Sequence, residues 1–119
     1  MREILFRGEG NKKYNDGGWY EGVPIQCSDG DWQICTNCSK RTVIAKTIGQ
    51  YTGLTDKNGK KIFEGDILKA NNGHIGWVRF RNGRFSKSCY CHPKSFNAIF
   101  GDNETVIGNI YDNCTLLWG

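Results

Sequence analysis

With 119 residues, 38% of them apolar, and a formal charge of +4, the chain is sized for one domain that buries its own core without disulfide staples. Sixteen glycines and two prolines set among aromatic and β-branched clusters exclude long helices and describe short strands joined by tight turns. No apolar run approaches the length that crosses a membrane, and no membrane partner is expected.

The opening Met1-Arg2-Glu3-Ile4-Leu5-Phe6-Arg7 is charged every few residues and has no signal-peptide core, which places the chain in the cytoplasm. Strands are predicted over Arg2 to Arg7, Trp19 to Cys27, Trp32 to Cys35, Thr42 to Ile48, Lys61 to Phe63 and Asp66 to Ala70, where apolar residues alternate or cluster between Gly, Asn and Asp. Further strands follow over Ile75 to Arg81, Arg84 to Cys91, Asn97 to Phe100 and Thr105 to Tyr111. Asn113 to Trp118 reads as a short closing helical turn. Residues 1–119 are therefore expected to form a single all-β domain, either a small partly open β-barrel or twisted antiparallel sheets built from hairpins.

Two dipeptides, Asn58-Gly59 and Asn82-Gly83, tolerate the positive φ angles of a type I′ hairpin turn. At the second, a two-residue loop sets Arg81 opposite Arg84, Phe80 opposite Phe85, Arg79 opposite Ser86 and Trp77 opposite Ser88. Val78, Phe80 and Phe85 then share the face expected to meet the core. The other face carries Ile75, Trp77, Arg79, Arg81, Arg84, Ser86, Ser88 and Tyr90. Placing Arg81 across from Arg84 costs up to about 1 kcal/mol in repulsion unless solvent or an anion compensates.

Charge is unevenly placed: Trp32 to Phe100 holds twelve Lys and Arg against three acids, and the two ends together hold four bases and nine acids. A basic centre attracts nucleic acid, an acidic protein or a membrane surface, although solvated charge is the commoner reason for it. Guanidiniums beside aromatic rings are the composition that grips phosphates and stacks bases. Trp77, Arg79, Arg81, Arg84 and Tyr90 are accordingly the candidate binding residues, set against the plainer reading of a solvated edge hairpin whose Arg stems cover Trp77.

Cys35 and Cys38 are spaced to reach one Zn²⁺, with Cys89, Cys91 and His92 available as further ligands. The zinc reading is the weaker one. Ser39-Lys40 follow the pair where a zinc knuckle places glycine, and Cys89 and Cys91 would share a strand face. In a reducing cytoplasm the six cysteines are read as free thiols and no cofactor is expected. Redox chemistry at Cys35 to Cys38 lacks the following helix that stabilises a thiolate. Glu64 and Asp66 lack a nearby base or metal pattern, so no enzyme is expected.

Five segments are shared with a known family. They are the opening Arg2 to Gly8, Gly18-Trp19-Tyr20-Glu21-Gly22, Ile48 to Gly59, Ile62-Phe63-Glu64-Gly65-Asp66-Ile67, and Val106-Ile107-Gly108-Asn109-Ile110-Tyr111-Asp112-Asn113. In this order the chain resembles the YopX family of small proteins carried by phages and prophages. The resemblance implies a compact, mostly β fold in a bacterial cell and no established activity. Its residues also have a local reading: Tyr51 and Leu54 as core contacts, Asp56 facing Lys61 across a turn, and Phe63 to Ile67 as a sharp bend. The cysteines depart from the family pattern, including Cys114, where a proline commonly follows the Asn.

Two functions stand from these residues. One is a non-enzymatic binding module, for nucleic acid through the basic and aromatic face. The other is a factor that binds or inhibits a host bacterial protein. Open strand edges also leave a homo-oligomer available.

Overall fold

The computed structural model describes residues 4–14, 17–36, 39–81, 83–89, 92–97 and 103–113. Two antiparallel sheets account for the eleven strands seen among them, and neither closes into a barrel. One has the order β4-β3-β2-β1-β5-β6 and the other β10-β9-β8-β7-β11. Of the two expected forms, twisted sheets built from hairpins is the one adopted. The chain divides into two compact units, Met1–Tyr51 and Thr52–Gly119, and passes from one to the other within β5.

The first unit contains β1 (Phe6–Glu9), β2 (Trp19–Gln26), β3 (Trp32–Cys35), β4 (Lys40–Val43) and the start of β5 (Gly49–Thr55). Pro24 lies opposite Ile34 and Gln33 opposite Thr42. Ile34, Val43 and Tyr51 are its buried apolar residues. A single bridge, Gly10 to Val43, ties the end of β4 to the chain just past β1. The strand expected over Thr42 to Ile48 is cut short, because Ala45–Thr47 turns as a 3₁₀ helix. There the buried Thr47 hydroxyl donates to the Ile44 carbonyl at 2.6 Å and accepts the Glu9 N–H at 2.9 Å. Such side-chain bonding to backbone competes with a ladder and ends the strand.

The second unit continues from β5 into β6 (Lys61–Phe63), β7 (Asp66–Ala70), β8 (Ile75–Arg81), β9 (Arg84–Cys89), β10 (His92–Asn97) and β11 (Glu104–Asn109). Ile62, Leu68 and Val78 form its core, with Phe85 and Val106 packed against them. Each such side chain taken fully out of water contributes about 1.5–3 kcal/mol. The expected bounds of β3, β6, β7 and β8 match those observed. The region after Cys89 differs, since a strand begins at His92 where one was expected only from Asn97. The helical turn expected over Asn113 to Trp118 falls almost wholly outside the described residues.

The Asn58-Gly59 turn is not the expected two-residue loop. Asp56 N–H donates to the Lys60 carbonyl at 2.7 Å and Gly59 N–H to the Asp56 carbonyl at 3.0 Å, giving a three-residue loop that ends on Gly59 at φ 83°. That is the turn-plus-bulge form that needs one left-handed residue rather than two. Leu54, expected in the core, is 40% exposed, whereas Tyr51 is buried as expected.

Candidate nucleic-acid interface

The β8–β9 hairpin has the register that a two-residue loop at Asn82-Gly83 requires. Trp77 faces Ser88, Arg79 faces Ser86, Phe80 faces Phe85 and Arg81 faces Arg84, and Gly83 sits at φ 79°. Asn82 itself lies outside the described residues. Strand alternation therefore brings Trp77, Arg79, Arg81 and Arg84 onto one face. The Arg79 guanidinium carbon stands 6.0 Å from the centroid of the Trp77 ring, within range of cation–π attraction. Tyr90, the fifth candidate, lies outside the described residues.

This face is graded rather than uniformly solvated. Ser88 and Ser86 are buried at its inner end, Trp77 and Arg79 are half-buried, and Arg81 and Arg84 are exposed at the turn. The hairpin is also not at the sheet edge, because β10 pairs with β9 beyond it. The opposite face departs from expectation too. Val78 is buried, but Phe80 is 49% exposed and meets Phe85 edge-to-face with ring centroids 4.8 Å apart.

Beside Val78 on that second face, Lys87 is buried and its Nζ lies 2.8 Å from Glu104 Oε1. The pair reaches from β9 to β11, with β8 and β7 between them in the sheet. Gly76 makes this possible: a Cβ there would fall 2.7 Å from the Lys87 Cγ and 2.5 Å from the Ser88 carbonyl oxygen. The lysine stem thus crosses the sheet over a residue with no side chain. Sequence pattern alone gives no signal for this pair, since 17 residues separate its members.

Two further acids of this unit, Asp56 and Asp66, are also turned to structural use. Asp56 is 5% exposed, and its carboxylate accepts the N–H groups of Asn58 and Lys60 at 2.9 Å and of Val106 at 3.0 Å. Burial works to raise its pKa, yet the three N–H groups and the nearby Lys60 charge outweigh it and hold the carboxyl below its ordinary value. Asp56 therefore clamps the loop to Val106 rather than facing Lys61 as expected. Asp66 is buried and accepts the Phe63 N–H at 2.8 Å, closing the sharp Phe63 to Ile67 bend.

These contacts join the segments that suggested a family. Asp56 binds Val106, Lys57 N–H donates to the Glu104 carbonyl, and Ile110 N–H donates to the Gly65 carbonyl at 2.9 Å. Asn113 Oδ1 accepts the Asn109 N–H, and Asn109 Oδ1 accepts those of Tyr111 and Asp112. The sequence profile of the YopX protein matches residues 6–118. The chain belongs to the YopX protein family. Among solved structures, this YopX protein is similar to protein EF1440 from Enterococcus faecalis, with a TM-score of 0.61 and 24% identity over 98% of this chain and 99% of that one. At that identity the likeness speaks for the fold alone. Comparison with curated proteins finds no match.

The metal candidates are not brought together by any described contact. Cys35 is a half-buried free thiol, as is Cys27. Cys38 and Cys91 lie outside the described residues. Cys89 and His92 are register partners on β9 and β10. Among the described residues no three His, Cys, Asp or Glu converge as a metal site. Also among them, no helix is long and apolar enough to cross a membrane.

Proposed function

We propose that this YopX protein is a non-enzymatic phage or prophage binding module that contacts nucleic acid in the bacterial cytoplasm through the open end of its β8–β9 hairpin. The observation that carries the reading is Arg79 held over Trp77, with Arg81 directly opposite Arg84 at the exposed turn. A phosphate between the two arginines would relieve their mutual repulsion. The distribution of charge in this unit adds to it. Asp56, Asp66 and Glu104 are buried, while Lys87 is the one buried base among the described residues of this unit. Three of its acids are thus withdrawn from solvent, while Arg81 and Arg84 are exposed.

The test is fluorescence anisotropy with a labelled oligonucleotide over a range of salt. Binding is expected to weaken linearly on a log–log plot, and replacing Arg79, Arg81 and Arg84 by Ala should flatten the slope by about 0.7–0.9 for each phosphate that is no longer neutralised. Binding that is absent at low salt, or unchanged in the triple variant, sinks the reading.

A protein partner in the host is the second reading. Val23 and Ile25, alternate residues on one face of β2, are exposed, and apolar side chains set together at the surface are a common feature of protein contacts. A host-lysate pulldown separates the two readings by returning either one stoichiometric protein or nuclease-sensitive material. Light scattering on the purified protein tests whether the partner is a second copy.

A further inference from the structure

Phe80 is the residue that hairpin patterning places in the core and the structure does not. Its neighbour two positions back on the same face differs sharply from it: Val78 is buried in the Ile62, Leu68 and Val78 cluster, whereas half of the Phe80 surface stays open. The ring is nevertheless held, because Phe85 lies edge-to-face against it at 4.8 Å. A large apolar ring left in water but fixed in orientation gains little for stability and is well suited to present a flat surface. Arg79 and Arg81 flank it in the chain and point to the other side of the ribbon.

We propose that Phe80 is a stacking platform for an unpaired base, so that the hairpin end takes single-stranded nucleic acid in preference to duplex. This rests on the nucleic-acid reading above and adds the class of strand. A phenyl ring carries no donor or acceptor and cannot read the polar edges that paired bases show in a groove. It can cover the face of a base, which an unpaired base offers freely and a duplex offers only after a base step is unstacked at an energetic cost. A single strand crossing the end of the ribbon meets the ring on one side with a base, while its phosphates meet Arg81 and Arg84 at the turn.

The experiment compares one labelled mixed-sequence oligodeoxynucleotide, free and annealed to its complement, by anisotropy at a single low salt concentration. The single strand should bind about tenfold more tightly. Phe80→Ala should lose about that factor for the single strand and leave duplex binding unchanged, and Phe80→Trp should retain single-strand binding. Phe80→Leu keeps the apolar bulk without a ring face and should weaken single-strand binding as much as Ala does. Equal affinity for both forms, or single-strand affinity that survives Ala and Leu, overturns the stacking role while the arginine dependence still supports phosphate contact. Absence of binding to either form at that salt concentration overturns both readings.

Discussion

Replacing Asp56 by Ala removes one acceptor from three backbone N–H groups, those of Asn58, Lys60 and Val106 at 2.9–3.0 Å. Asn58 and Lys60 are exposed, so water can replace the carboxylate there, at a cost of about 1 kcal/mol each. The Val106 N–H is half-buried and is deprived of a charged acceptor, worth about 2 kcal/mol. The total is about 4 kcal/mol, or roughly 15 °C in Tm for a domain of this size. Urea unfolding followed by circular dichroism should show the destabilisation as a lower midpoint at unchanged slope. The pH dependence follows from the lowered pKa. The stabilisation is fully present above the ordinary carboxylate value of 3.8 and is lost as pH falls through the lower folded value, so wild type and variant should converge in acid. A midpoint within about 0.5 kcal/mol of wild type at neutral pH, the range of ordinary surface substitutions, would refute the clamp.

Two further outcomes test how the second unit is held. Lys87→Met should cost about 3–5 kcal/mol by leaving Glu104 buried and unpaired, and the double change with Glu104→Leu should recover most of it; chemical denaturation of all four members of the cycle reads this. Gly76→Ala sets a Cβ against backbone at 2.5 Å and should cost about 3 kcal/mol, the upper end of the usual range for overpacking. Gly59→Ala meets no atom within 4 Å and bears only the strain of its φ of 83°, about 1–2 kcal/mol. Equal destabilisation at the two glycines would refute the close approach over Gly76.

The family segments acquire a physical reason in these predictions. Asp56, Gly65, Asp66, Asn109 and Asn113 serve turns and the joins between them, and no described contact among them requires a ligand. Arg79 beside Trp77, and Arg81 opposite Arg84, are the arrangement on which the proposed binding rests.

Local chemistry was legible wherever a short stretch of chain decides the outcome. Asn82-Gly83 set the whole β8–β9 register, since a two-residue loop allows one pairing and every later pair follows from it. Alternation likewise put Trp77, Arg79, Arg81 and Arg84 on one face. Depth along that face was not legible: Ser86 and Ser88 are buried and Phe80 is not, because burial depends on what other elements cover each end of the hairpin. The Lys87 to Glu104 pair, the Asp56 to Val106 clamp 50 residues apart and the bare path over Gly76 were decided by tertiary structure alone. They join atoms far apart in the chain, and periodicity carries no information about such distances.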